Sequence, residues 1–270
     1  MPAYEEISSE NCFPFYIRKF WILDNSLSPL QTVLQYALPN TCFTLAFIIG
    51  NGVLLEYPDK KSRLVFGSYL VGQLTTKVSV TVLPYTKAFM VQLNPWAASL
   101  LSELSFHELT NQVIELRDVN QKIADSIIRD DLIDSKCFKN TMEKIFVDYL
   151  YPTKDSMLIA SCFHLFRNQP IGHLNKIADL SAHTGYSIRS LEKKFKQNVG
   201  LSPKQVHMIL RVRSLIDEIQ LNKNGKVSLT TLAYRYGFSD QAHFIRTYRN
   251  MMDSAPSKFD RAEYILPLFI

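Results

Sequence analysis

The chain has 270 residues, 47% of them hydrophobic and 20% charged, the composition of a folded protein of one or two domains and not of a disordered tail. Its opening, Met1-Pro2-Ala3-Tyr4-Glu5-Glu6, is acidic and lacks the basic start and apolar stretch of a secretory signal. The best apolar run, Phe43 to Ile49, is far too short to span a bilayer, so a cytoplasmic protein with no membrane partner is expected. The net charge of +5 is unevenly spread: residues 155–270 hold 16 Lys and Arg against 9 Asp and Glu, whereas residues 1–154 hold 14 against 16. A polyanionic partner is therefore expected at the C-terminal end.

Up to about residue 95, short runs of β-branched and aromatic residues alternate with turn signals. Cys42 to Ile49 precedes Gly50-Asn51-Gly52, Val53 to Tyr57 precedes Pro58-Asp59, and Lys77 to Leu83 precedes Pro84, a pattern that predicts antiparallel strands. Trp21, Tyr36, Phe47, Tyr69, Tyr85 and Trp96 are candidates either for a ligand pocket or for plain β-core packing. From residue 96 to 152 the period becomes helical, with Val113, Leu116, Asn120, Ile123 and Ile127 near one face, and Met142, Ile145, Phe146 and Leu150 on a second helix. Pro152-Thr153-Lys154-Asp155 reads as a break. The division expected is 1–152, β-rich over 1–95 and helical over 96–152, followed by an all-helical 155–270.

Beyond the break the spacing predicts helices over Met157–Asn168, Leu174–Ala182, Pro203–Leu221, Leu229–Tyr236 and Asp240–Met252. Ser202-Pro203 supplies an N-cap with proline at the first helical position, and Asn222 to Gly225 supplies a stop.

An internal repeat lies within this half. Ile177-Ala178-Asp179-Leu180-Ser181 precedes Gly185-Tyr186-Ser187, and Leu229-Thr230-Thr231-Leu232-Ala233 precedes Gly237-Phe238-Ser239. After a one-residue insertion the match continues to Phe195 and Pro203 in the first copy and to Tyr248 and Pro256 in the second. Each copy is a helix, a turn carrying Gly, and a second helix suited to a major groove. In the first copy Ile188, Leu191, Phe195 and Val199 are expected inward, leaving Arg189, Lys193 and Lys196 outward. In the second, Phe244, Tyr248 and Met251 are expected inward, with Gln241, Ala242, His243 and Arg246 displayed. Pro203 to Leu221 would span roughly 28 Å at 1.5 Å per residue, near the roughly 34 Å between successive major-groove faces. Arg189, Lys193, Lys194, Lys196, Lys204, Arg211 and Arg213 are candidate phosphate contacts.

Residues Gly185 to Lys196, then Gly200-Leu201-Ser202-Pro203, Arg211, and Gly237 to Phe244 with Arg246, Tyr248 and Pro256, closely resemble the signature of the AraC/XylS family of transcriptional regulators. The resemblance covers about 100 residues. It implies double-stranded DNA as partner, with base contacts from the second helix of each unit, here Arg189, Ser190 and Lys193, and Gln241, Ala242, His243 and Arg246. Lys196 joins them as a backbone contact. It also implies a regulator with no catalytic residue, a transcriptional activator in a bacterial setting, with RNA polymerase contact and homodimerisation. Asp253 stands where the family has Gly, and Leu215 where it has Ala. Glu192 either accepts from cytosine or turns to solvent.

More loosely, Ile17 to Trp21, Leu38-Pro39-Asn40, Val71 to Thr75 and Val91 to Pro95 resemble the β-rich, cupin-like regulatory domain of some members, which implies a small-molecule effector or dimerisation. The resulting fold class is α+β: a β-rich N-terminal domain with trailing helices, then two helix-turn-helix units joined by a long helix.

Three other chemistries are weighed. Cys12, Cys42, Cys137 and Cys162 lack zinc or disulfide spacing and lack the neighbours of a DNA-alkylation repair cysteine, so no metal, no cofactor and four free, mostly buried thiols are expected. His107-Glu108 has Asn111 where a zinc protease needs its second histidine. A ligand-independent, dimerising DNA-binding scaffold stays open beside the ligand-responsive regulator.

Overall fold

The computed structural model describes residues 3–7, 15–27, 32–127, 132, 134–168, 177–221 and 227–264. Among the described residues ten strands form two antiparallel sheets. The larger contains β1 (Ala3–Ile7), β2 (Ile17–Asp24), β4 (Phe43–Ile49), β7 (Gly67–Val71), β9 (Lys87–Leu93) and β10 (Val113–Glu115), in the order β1-β2-β9-β4-β7-β10. The smaller contains β3 (Val33–Ala37), β5 (Val53–Glu56), β6 (Lys61–Leu64) and β8 (Val78–Val82), in the order β3-β8-β5-β6.

The larger sheet is the middle layer, which explains its strand sequences. Phe20, Ile22, Leu45, Phe47, Phe89 and Val91 face helices, whereas Trp21, Leu23, Ala46, Ile48, Ala88 and Met90 face the smaller sheet. A strand buried on both faces reads as a continuous apolar run, as Phe43–Ile49 does. On the helical side lie α3 (Ser135–Tyr149), which buries Phe138, Met142, Ile145 and Phe146, and α4 (Lys154–Asn168). Thr153 and Ser156 exchange hydrogen bonds at the start of α4, with Ser156 N–H donating to Thr153 Oγ1 at 3.1 Å and Thr153 N–H to Ser156 Oγ at 2.9 Å. The break expected at 152–155 is therefore a helix cap.

The stretch from Val113 to Ile127 is not one helix. Its first residues form β10 on the edge of β7, followed by α1 (Leu116–Val119) and α2 (Gln121–Asp125). Asn120, placed by periodicity on an apolar face, is the N-cap of α2 and accepts from Ile123 N–H at 3.0 Å. Its preference for capping over helix interiors ends α1.

The C-terminal helices are α5 (Ile177–Thr184), α6 (Ile188–Val199), α7 (Pro203–Leu221), α8 (Leu229–Arg235) and α9 (Gln241–Met252). Leu174, Pro170 and the stop at 222–225 lie outside the described residues. Two cores hold the helices in place. One runs without a break from the larger sheet through α3 and α4 to Leu191, Phe195 and Val199 of α6 and Val206 and Ile209 of α7. The other joins Val212, Leu215 and Ile216 of α7 to Phe244, Tyr248 and Met252 of α9, and includes Leu38 from the connection between β3 and β4. Leu215, a departure from the family pattern, is fully buried there.

Candidate nucleic-acid interface

Ile188 and Gln241, 53 positions apart in the chain, each open a 12-residue helix. The N-caps keep that spacing. Ser187 accepts from Ser190 N–H at 3.2 Å, and Asp240 accepts from His243 N–H at 2.6 Å, which holds the Asp240 carboxyl below the usual carboxylate range. The inward residues keep it too: Leu191, Phe195 and Val199 in α6 correspond to Phe244, Tyr248 and Met252 in α9, all fully buried. So do the exits. Gly200 at φ +82° ends α6, and Asp253 at φ +50° ends α9 in the same left-handed conformation. Asp, like Asn, tolerates that region better than most side chains, so the altered residue preserves the turn.

Before α6 and α9 the chain turns at Gly185 (φ +73°) and Gly237 (φ +72°). In the first unit the Ser181 hydroxyl donates to Tyr186 O at 2.6 Å, and in the second Phe238 N–H donates to Ala233 O at 3.0 Å. Each contact ties the turn back onto the helix before it. After α6, Ser202 and Gln205 form a reciprocal cap for α7: Ser202 N–H donates to Gln205 Oε1 at 2.9 Å and Gln205 N–H to Ser202 Oγ at 3.2 Å.

The outward stripes are open. Arg189, Lys193 and Lys196 are exposed on α6, and Ala242 and Arg246 on α9, while Ser190, Gln241 and His243 are half-buried. Two side chains in the second unit are already engaged. The Gln241 carbonyl oxygen accepts from Thr230 Oγ1 at 2.6 Å, so a bidentate contact to adenine uses its second lone pair or displaces the threonine. His243 Nδ1 lies 3.1 Å from Ser239 Oγ, with its ring edge-on to Phe238. Arg249, one turn beyond Arg246 and exposed, occupies the place that Lys196 holds in α6. The repeat spacing was the signal that could have found it.

Several sequence expectations change. Ile188 is 44% exposed and not in the core, because α6 turns its first residue past the edge of the packed face. Met252 joins the inward set as a fully buried residue, while Met251 is half-buried and packs against both cores; its carbonyl accepts from Lys77 N–H at 2.7 Å. Three of the basic residues are engaged by other groups of the protein. Lys194 pairs with Asp155 at 2.6 Å. Arg211 donates from Nε to Tyr236 O at 2.6 Å and lies over the Phe238 ring. Arg213 is 3% exposed, and burial lowers its guanidinium to about 10 against the opposing pull of Asp217. Lys204 remains exposed on α7.

Of the six aromatics considered for a pocket, only Trp21 lines the cavity found between the sheets, where Tyr57 joins it. Among the cysteines Cys42 and Cys162 are buried and Cys137 is exposed; Cys12 lies outside the described residues. Among the described residues no helix is long and apolar enough to cross a membrane.

Comparison with known proteins matches the two halves separately. Residues 180–262 match a helix-turn-helix domain family, and residues 5–115 match a domain of unknown function, DUF6597. The multiple antibiotic resistance protein MarA of Salmonella typhimurium is 33% identical over 95 residues, 33% of this chain and 72% of that protein. The HTH-type transcriptional activator RhaS of Escherichia coli is 36% identical over 70 residues, 26% of this chain and 24% of that protein. The structure of ToxT from Vibrio cholerae aligns with a TM-score of 0.47 and 15% identity over 84% of this chain and 96% of that one. With two helix-turn-helix units of matching helix length, cap and inward spacing joined by one long helix, and MarA similar over most of its length, the chain belongs to the AraC/XylS family of DNA-binding transcriptional regulators.

Proposed function

We propose that this protein is a sequence-specific regulator in which α6 and α9 enter successive major grooves of one DNA duplex. The observation that carries this reading is the equivalence of the two helices: same length, same inward positions, and an outward stripe free of the core in each. The 19 residues of α7 give a rise of roughly 28 Å, a spacing compatible with neighbouring grooves. Arg189, Ser190, Lys193, Gln241, Ala242, His243 and Arg246 read base edges, with Lys196 and Arg249 on phosphates. Ala242 offers a methyl to thymine, and Arg189 and Arg246 suit guanine. His243 reaches a base edge through Nε2 while its Nδ1 keeps the contact with Ser239 Oγ.

In this reading residues 155–270 bind DNA in the cytoplasm, and residues 1–152 sense an effector or dimerise the protein. The cavity between the sheets favours the sensing role over a passive scaffold. Transcriptional activation and contact with RNA polymerase follow as part of the proposal from kinship with regulators such as RhaS.

Selection of bound fragments from genomic DNA, followed by footprinting, tests it. Two protected major-groove segments about one helical turn apart per protomer are expected; a single segment overturns the two-groove arrangement. Arg246→Ala should cost about 1–3 kcal/mol on the selected site and relax base preference at one position, whereas Lys196→Ala should weaken all sequences alike and flatten the salt dependence. Equal losses for Arg246→Ala on selected and random DNA would remove its base-reading role.

A further inference from the structure

Gln241 opens α9 with a side chain that can meet a base in two ways. Its amide carries an acceptor oxygen and a donor nitrogen on one trigonal carbon. Used together, they match adenine, which sets the N7 acceptor beside the N6 donor. Used alone, the nitrogen matches guanine, whose O6 and N7 are both acceptors. Which face is presented depends on what holds the oxygen.

Thr230, exposed on α8, holds it. Its hydroxyl donates to Gln241 Oε1 at 2.6 Å. That separation suits an O–H···O hydrogen bond and is shorter than the usual N–H···O range, so the amide atom beside the threonine is the oxygen and not the nitrogen. To accept from adenine N6, Gln241 would either break this bond, at a cost of roughly two- to tenfold in affinity, or use the remaining lone pair of an oxygen already fixed toward α8. The nitrogen is under neither constraint.

The first unit shows that the pair is not a requirement of the fold. With Leu180 set against Leu232 and the N-cap Ser187 against Asp240, Thr230 corresponds to Ala178 and Gln241 to Ile188. Neither Ala178 nor Ile188 has a polar side-chain group, and Ile188 is 44% exposed. The two units nevertheless turn at glycines of the same conformation, Gly185 at φ +73° and Gly237 at φ +72°, and cap their second helices alike. The hydrogen bond between Thr230 and Gln241 is thus an addition to the second unit that its architecture does not need.

We propose that Thr230 is a positioning residue that sets the base read by Gln241: it holds the amide oxygen toward α8, so that Gln241 meets DNA through its nitrogen and selects guanine over adenine. This rests on the placement of α9 in a major groove proposed above and adds the base preferred at one position.

Selection of bound duplexes from a library randomised in sequence, carried out with the full-length protein and its variants, tests the assignment. The base pair read by Gln241 is the one whose preference Gln241→Ala removes. At that pair the unaltered protein should favour guanine over adenine by about five- to tenfold. Thr230→Val, which keeps the shape of the side chain and removes the hydroxyl, should reverse the order in favour of adenine. Thr230→Ala, matching what the first unit carries at this place, should do the same, and Thr230→Ser should keep guanine. The preference that Arg246→Ala removes should stay unmoved in all three Thr230 variants, which reports a folded second unit.

Adenine preferred by the unaltered protein, guanine retained in both Thr230→Val and Thr230→Ala, or a uniform loss of affinity with unchanged base preference overturns the proposal and leaves the groove placement of α9 standing. If Gln241→Ala changes no position while Arg246→Ala changes one, Gln241 leaves the base-reading set and the proposal falls with it. If neither variant changes any position, the groove placement itself is overturned, and the proposal with it.

Discussion

Gly200 and Asp253 stand at equivalent exits but tolerate substitution differently. A Cβ on Gly200 would lie 2.5 Å from Phe106 O and 3.1 Å from Thr110 Oγ1, at φ +82°, so Gly200→Ala combines left-handed strain with a backbone clash. It should cost at least about 2 kcal/mol in urea denaturation. Asp253→Gly removes strain and should raise stability by about 0.5–1 kcal/mol; a loss would mean that the Asp253 carboxylate has a role beyond the turn. The Asp253 departure was legible in the sequence, but the unchanged conformation of its backbone was not, because Asp tolerates φ > 0 without advertising it. The outward Arg189, Lys193, Lys196 and Arg246 were legible from helical spacing alone. The commitment of Arg211 and Arg213 to the interior was not: both lie on a helix covered on several sides, and periodicity carries no information about which other elements approach it.

The connection between β3 and β4 touches both the cavity and the second unit. Ala37, Asn40 and Cys42 line the cavity, while Leu38, 2% exposed, belongs to the core of α7 and α9. Between them Thr41 is fully buried at φ +60°, a conformation rare for a β-branched residue. Leu38→Ala should cost about 2–4 kcal/mol and should speed amide exchange in α8 and α9 more than in α6. Uniform acceleration across both units would show that Leu38 does not act on the second unit in particular. The strand run Phe43–Ile49 announced itself because both of its faces are buried. The Val113–Ile127 stretch misled because β10, α1 and α2 are each shorter than the window over which a period can be read, and the Asn120 cap that separates them resembles any polar residue on a helix.

At the level of the whole molecule, His207 of α7 stacks on Phe166 of α4, with ring centroids 5.2 Å apart at 11°. Burial, helped by Arg211, lowers its imidazole to about 4. The unfolded chain takes up this proton near pH 6.5 and the folded chain only near 4, so folding stability should decline as the pH falls from about 6.5 to 4. His207→Phe should flatten that part of the stability profile, as measured by thermal unfolding across the range; an unchanged profile would place the responsible group elsewhere. The core that reaches from the larger sheet through Trp96, Phe163 and Phe195 has another consequence, for the protein as a set of exchangeable parts. The Thr110 hydroxyl donates to Gly200 O at 3.0 Å, which places a seam of main-chain and aromatic contact at the end of α6. A chimaera that grafts the DNA-reading half of a relative after residue 154 would inherit half of that seam. Such grafts should fold only when the donor brings a glycine at 200 and an aromatic at 195, so the start of α4 is a poor place to cut the gene.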